Sequence, residues 1–219
     1  PNSFIIVDDY EAAVVDPFGD DRVVRSLRLI VADLSQVRHV VFTSLEAGAE
    51  SGVELLARVL PSSGFVASSY WASQITIVSR GAATRIQAVP MRETGLKLGK
   101  SELTLIPAPA RGVASFSIYD RRTRTLITGP VLGAVTPPGL WSIRAKDIDE
   151  YKLSVVDYVL YTTCPREFLA WLDRVEKLDI ELLAPRYGPL LEGRKQVQAL
   201  FAELRRAVAE RAKAQPVTA

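Results

Sequence analysis

The chain reads as an α/β protein, because β-branched apolar runs alternate along it with segments of helical period. Two stretches carry this reading. Val40-Val41-Phe42 is a run of the buried-strand type, and it ends in the loop Thr43–Gly52, which opens directly into the amphipathic segment Val53–Leu60. Near the other end, Ile180–Ala184 leads through Pro185-Arg186-Tyr187-Gly188-Pro189 to a last helix. Such strand-to-helix loops lie beyond the carboxyl ends of strands, where ligands gather in open α/β sheets. At 219 residues and without a linker-like stretch, the chain is expected to form one domain, 1–219, closing in an amphipathic helix at about 192–213.

Composition narrows the function classes. Lys+Arg number 27 against 25 Asp+Glu, a net charge of +2 with the signs interspersed, so the overall field argues neither for nor against nucleic acid. No apolar run reaches bilayer length and the N-terminus has no signal-peptide pattern, so neither a membrane span nor export is expected and a cytoplasmic location is. The single Cys164 excludes an internal disulfide and a cysteine-rich metal cluster. The single His39 bears on metal chemistry more directly: a binuclear site of the imidazole-rich kind needs several histidines, and one cannot fill it. Scarce Asn, Cys and Met are compatible with a thermophile source.

Taken in order, Ser3–Val7 and Ala12–Val15 flank Asp8-Asp9-Tyr10-Glu11 as a β-hairpin. Asp20–Leu34 places Val23, Val24, Leu27, Ile30, Val31 and Leu34 on one helical face, with acids in the first turn. Val37–Thr43 is a buried strand carrying His39 at its start, expected to be a solvated or hydrogen-bonded strand-edge histidine. Phe65–Ala67 is a short strand, Ser69–Ala72 a short helix capped by Ser68 or Ser69, and Thr84–Val89 another strand. Thr94–Ile106 reads as two strands about a Gly-Lys turn. Ser117–Tyr119 and Thr125–Thr128 form a hairpin whose tip holds Arg121, Arg122 and Arg124, taken as a solvated turn in preference to a phosphate contact. Ile148–Tyr161 and Arg166–Leu178 are helices, the second with Phe168, Trp171, Leu172, Val175 and Leu178 at helical spacing after Pro165. Cys164 is expected to be buried or half-buried, and Ile180–Ala184 to be the last strand. Arg194–Arg211 puts Val197, Leu200, Phe201, Leu204 and Val208 on one face.

Thr43-Ser44-Leu45-Glu46-Ala47-Gly48-Ala49-Glu50-Ser51-Gly52 resembles the first metal-binding loop of the metallo-β-lactamase superfamily, most closely its diiron branch of flavodiiron and oxygen-binding diiron proteins. That branch has Asn-His-x-Glu-x-Asp-His-x-Gly. Here Thr43, Ser44, Leu45 and Glu46 lie over Asn-His-x-Glu, Gly48 and Ala49 replace the Asp and the second His, and one extra residue precedes Gly52. The resemblance continues through Gly95–Gly99 and Pro107-Ala108-Pro109. Arg111 or Gly112 stands where the branch has its next His, Pro130 where it has the bridging Asp, and Tyr187 replaces the last His within Ala-Pro-x-x-Gly-Pro. The implied fold is an αββα four-layer sandwich with the site at one edge.

Each loop keeps its glycines and prolines while exchanging its ligands, so backbone geometry is retained and donor chemistry is not. The leading expectation is therefore a metal-free, catalytically inactive binding, scaffold or assembly subunit. It would have no cofactor, form a homodimer, admit a protein partner and bind no nucleic acid. The pocket candidates are Ser44, Glu46, Ala49, Glu50, Arg111, Gly112, Pro130, Arg186 and Tyr187. A second reading is an enzyme or small-ligand binder built on Glu46, Arg186 and Tyr187, with Glu46 and Tyr187 as acid and base. A third is an inactive, nucleic-acid-associated homologue, against which the missing basic stripe counts.

Overall fold

A computed structural model describes residues 1–18, 21–45, 51–110, 113–134, 142–145 and 148–214. The chain divides into two compact units, Asn2–Ile106 and Pro107–Ala219, the latter with Pro1.

In Asn2–Ile106 a five-stranded sheet has the order β1-β2-β3-β4-β5, with β1 Phe4–Asp8, β2 Glu11–Val15, β3 Val37–Val41, β4 Gly64–Ser68 and β5 Ile86–Val89. β1 and β2 form the expected antiparallel hairpin, whereas β2 to β5 run parallel, each joined to the next through helical connections. Helices α1 (Asp21–Ile30), α2 (Ser51–Val59), α3 (Ser69–Val78) and α4 (Arg80–Ala83) supply them. Leu27, Phe42, Leu56, Leu60, Phe65 and Ile75 are fully buried and belong to one continuous core. Several expected boundaries move, each for a local reason. α1 stops at Ile30, which is 52% exposed, because Asp33 and Gln36 cap a separate 3-10 turn at Leu34–Gln36 through a reciprocal pair of side-chain bonds. Strand β3 ends at Val41, and since β2 and β4 flank it, His39 is interior to the sheet instead of at its edge. α3 does start under a Ser68 cap, with Trp71 N donating to Ser68 Oγ at 3.4 Å, but it runs on to Val78. Burial of Ala72 and Ile75 holds its β-branched end helical, and α4 then occupies residues expected to precede β5 directly.

Three side chains lock this unit. Arg85 Nη1 donates to Leu60 O at 2.6 Å and Ser63 O at 2.9 Å, Nη2 to Ala57 O at 2.7 Å and Nε to Gly81 O at 3.1 Å, while its guanidinium lies 5.2 Å from the Phe65 ring centroid. It thereby occupies carbonyls that the end of α2 leaves without helical partners. Asp8 Oδ2 accepts from Lys100 N, Ser101 N and Ser101 Oγ at 2.7–2.9 Å, and Glu11 Oε2 from Gly99 N at 2.8 Å, so the first hairpin's turn grips the turn between β6 (Thr94–Leu98) and β7 (Ser101–Ala110). Gly99 is required there: its φ is +57°, and a Cβ would lie 2.3 Å from Asp8 O.

In Pro107–Ala219 the strand order is β11-β10-β9-β8 and then the end of β7, with β8 Val113–Asp120, β9 Thr125–Gly129, β10 Leu182–Pro185 and β11 Leu191–Glu192. β8 and β9 form the expected hairpin, β9 and β10 are parallel, and β11, not the expected Ile180–Ala184 segment, is the last strand, pairing antiparallel with β10. β7 continues as strand through Pro107-Ala108-Pro109. Ser115 Oγ donates to Ala108 O at 2.8 Å, a link to β7 made where its prolines supply no N–H. Helix α7 (Arg194–Ala214) packs on α5 (Ile148–Thr162) and α6 (Pro165–Val175). Val197, Leu200, Phe201, Leu204 and Val208 of α7 are buried, as are Phe168, Trp171, Leu172 and Val175 of α6. Cys164 corrects its expectation. It is exposed, at the N-cap of α6, a position outside the helix's packed stripe. Among the described residues no helix is long and apolar enough to cross a membrane.

Candidate functional site

In Asn2–Ile106 the polar residues gather where the parallel strands end. Asp16 follows β2, Thr43-Ser44-Leu45 follow β3, and Ser68 ends β4; Asp16, Thr43, Ser44 and Ser68 are all 0% exposed. Asp16 organises the group. Its backbone, at φ 49°, keeps to the sheet by donating N–H to Val41 O at 2.8 Å, and its carboxylate faces the neighbouring loop. Oδ1 accepts from Thr43 N at 2.8 Å and Oδ2 from Thr43 Oγ1 at 2.6 Å, so both oxygens clamp the first residue of the loop. Ser3 Oγ donates to Asp16 O at 2.7 Å. Sequence reasoning passed over Asp16. The available signal was an acid directly after the apolar run Ala12–Val15, at a strand's carboxyl end. Of the loop candidates Ser44 is buried, and Glu46, Ala49 and Glu50 lie outside the described residues.

In Pro107–Ala219 the ends of the parallel strands β9 and β10 bring Pro130, Arg186 and Tyr187 into one group. Arg186 N donates to Gly129 O at 3.2 Å, and Tyr187 O accepts from Ala134 N at 2.9 Å. Pro130 is buried and Arg186 is 1% exposed, its guanidinium carbon 5.7 Å from the Tyr187 ring centroid. Gly188 has φ +98°, and a Cβ on it would come within 2.9 Å of Ala134 Cβ, which explains why this frame needs glycine whatever chemistry its loop carries. Arg111 and Gly112 lie outside the described residues. Two of the arginines at the β8–β9 turn are engaged locally: Arg122 Nη2 lies 3.8 Å from Asp120, and Arg124 Nη1 lies 3.7 Å from Asp179 and 3.3 Å from Glu181.

These donors do not fit the diiron centre that the resemblance implies. Among the described residues no group of three or more His, Cys, Asp or Glu is placed to hold a metal ion. The whole chain has one histidine, and His39 Nε2 donates to Lys97 O at 2.9 Å. Pro130 has no donor in its side chain, and the Arg186 cation beside Tyr187 opposes a second positive charge.

His39 also sets a pH response. Burial pushes its pKa below the ordinary imidazole value of 6.5, opposed by the Lys97 carbonyl and Glu11, and its Nδ1 is buried without a partner among the described residues. The folded state thus binds the proton less well than the unfolded chain. The stability His39 contributes is present above about pH 6.5 and is lost as pH falls from there through the lowered folded value. Denaturant titrations at pH 7.5 and 5.5 should show this acid-side loss, and His39→Gln should flatten it; an unchanged slope in the variant would assign the loss to other groups.

The sequence model of a family described as "ODP family beta lactamase" matches residues 1–188. No curated protein sequence matches. Among solved structures, the apo state of chemotaxis sensor ODP from T. denticola aligns at 20% identity and a TM-score of 0.81, covering 93% of this chain and 84% of that one. A peroxy diiron species of chemotaxis sensor ODP aligns at 20% identity and 0.80, with the same coverages. The metal-soaked Flv1 flavodiiron core from Synechocystis sp. PCC6803 aligns at 24% and 0.81, covering 96% of this chain and 53% of that one. This chain therefore spans about half the length of that flavodiiron chain. These likenesses show a metallo-β-lactamase-like α/β fold with two sheets and helices. They also overturn the expectation of a metal-free, inactive binding, scaffold or assembly subunit, because the similar structures are a diiron chemotaxis sensor and flavodiiron cores, proteins named for bound metal. The two alternative readings, a remodelled-pocket enzyme or ligand binder and a nucleic-acid-associated homologue, draw no support from these likenesses.

Proposed function

Because this chain belongs to the ODP family of beta-lactamase-fold proteins, we propose that it is a sensor-type signalling domain. The single observation that carries this is the family match over residues 1–188, since the protein bearing that family's name among the similar structures is a chemotaxis sensor. In this reading the loops beyond the parallel strands are the responsive elements. Asp16 and Thr43 form one rigid seat, and Gly129, Arg186 and Gly188 another, from which a loop can change its order without disturbing the sheet. The domain acts as a dimer of two copies, as its resemblance to the diiron branch implies.

The test is amide hydrogen exchange on the purified chain in four states: anaerobic, air-equilibrated, anaerobic with ferrous iron, and ferrous iron followed by air. Metal content is measured in each. A sensor should change its protection at 43–45 or at 129–134 and 186–188 in at least one cued state while β1 to β5 stay unchanged. Identical exchange in all four states would overturn the proposal.

A further inference from the structure

Among the described α-helices α3 alone contains no charged residue, in a chain of which 24% of residues are charged. Its inner side is spent on the core through Ala72 and Ile75. The opposite side presents Tyr70, Ser73, Gln74 and Ile77, which follow one another at i, i+3, i+4 and i+7 and are all exposed. Tyr70 is 55% and Ile77 77% exposed, with Val78 beside them at 45%.

This face is poorly suited to water. Thr76, Ile77 and Val78 are β-branched and exposed, have weak helix propensity and lack a guarding charge, a composition prone to aggregate when left open. The Tyr70 ring stands edge-on to that of Trp71, with centroids 4.8 Å apart and planes at 75°, so it is held in place before any contact forms. A lipid surface does not match the face, since a helix lying on one carries cations on its polar side and α3 has none. A charged partner does not match it either, because its charges would lose water and meet no counter-charge.

A second copy of α3 does match. In a two-fold contact the same patch is used on both sides, so residue i meets j and j meets i. Turned about an axis between Ser73 and Gln74, the stripe complements itself: Tyr70 meets the second copy's Ile77, and Ser73 its Gln74. Aromatic and aliphatic side chains thus pair at both ends. In the middle the small Ser73 lets the backbones approach, and the Gln74 amide is donor and acceptor at once.

We propose that two copies of this chain associate through α3, antiparallel, with Tyr70 and Ile77 as the anchors. α3 lies wholly within Asn2–Ile106, and the contact needs that unit alone. It rests on the dimeric state proposed above and assigns its surface. Two helices of 10 residues bury less than a standard interface, so the dimer is weak, with a dissociation constant on the order of 10 µM.

Sedimentation of the full chain across that concentration, at low and at high salt, tests it. An uncharged contact should change its dissociation constant by less than about twofold with salt. Ile77→Ser should weaken the dimer by about tenfold or more, since it removes an anchor at both ends. Gln74→Lys and Gln74→Glu each bring like charges together beside the axis, so each alone should be monomeric with unchanged far-ultraviolet circular dichroism. Mixed, they should form a heterodimer that salt weakens. Gln74 is exposed, so neither substitution disturbs the core, and Ile77→Ser supplies the test if one of them fails to fold. A wild-type chain that is monomeric at every concentration overturns both the dimer and this contact, while the hydrogen-exchange test of the sensor reading stands apart from it. A dimer that all three variants leave intact, or a Lys and Glu mixture that stays monomeric, overturns only the contact.

Discussion

Asp16→Ala should destabilise the protein by about 3 kcal/mol, because it strips two buried donors of one acceptor group at once. Thr43 N and Thr43 Oγ1 both end on the Asp16 carboxylate inside the fold, at 2.8 and 2.6 Å. Without it neither reaches water, since Thr43 is fully buried. For a chain of this size the loss corresponds to a fall in Tm of roughly 6–12 °C. Asp16→Asn separates the roles: it keeps one acceptor for one donor but places an amide beside the other, so it should recover part of the stability and not all of it. Equal losses in the two variants would mean that the carboxylate acts through charge alone; no loss in either would remove Asp16 from the account of the loop. Chemical denaturation with both variants decides between these.

Arg85→Met should cost about 2–3 kcal/mol, comparable to the loss of a charge-assisted hydrogen bond plus residual exposure of carbonyls that the helix end leaves open. Methionine keeps an apolar stem against Phe65, so the packing contribution is largely retained and the measured loss reports the donors. Four carbonyls, those of Ala57, Leu60, Ser63 and Gly81, release together. Arg85→Lys should recover little, because a single ammonium cannot span partners at the end of α2, in the following turn and on α4. Hydrogen exchange should locate the loosening in residues 57–64 and 81–85. Stability within a few tenths of a kcal/mol of the parent would contradict the assignment.

The sequence also misled in places, twice because tertiary packing overrides a local preference. α3 runs past the expected end at Ala72 to Val78, because burial of Ile75 against the sheet outweighs the strand propensity of Ile75-Thr76-Ile77-Val78. Cys164 was placed inside because cysteine usually is, but it caps a helix from outside the packed stripe. The functional reading went wrong in a different way. The ligands missing at the positions of Pro130 and Tyr187 point by themselves to an inert scaffold, yet the similar structures are those of a diiron chemotaxis sensor and flavodiiron cores.

By itself the sequence determined the α/β class, the first hairpin and the β8–β9 hairpin, the faces that α6 and α7 bury, and the glycine and proline frame of each loop. These are set by local period and by backbone conformations that few residues can adopt, so they are written residue by residue. Only the tertiary structure decided that Asp16 clamps Thr43 across 27 positions, that Arg85 closes the end of α2, and that Pro130, Arg186 and Tyr187 meet. Those contacts join residues far apart in the chain, and no local pattern encodes which distant partner a carboxylate or a guanidinium will reach once the strands are parallel and their carboxyl ends lie side by side.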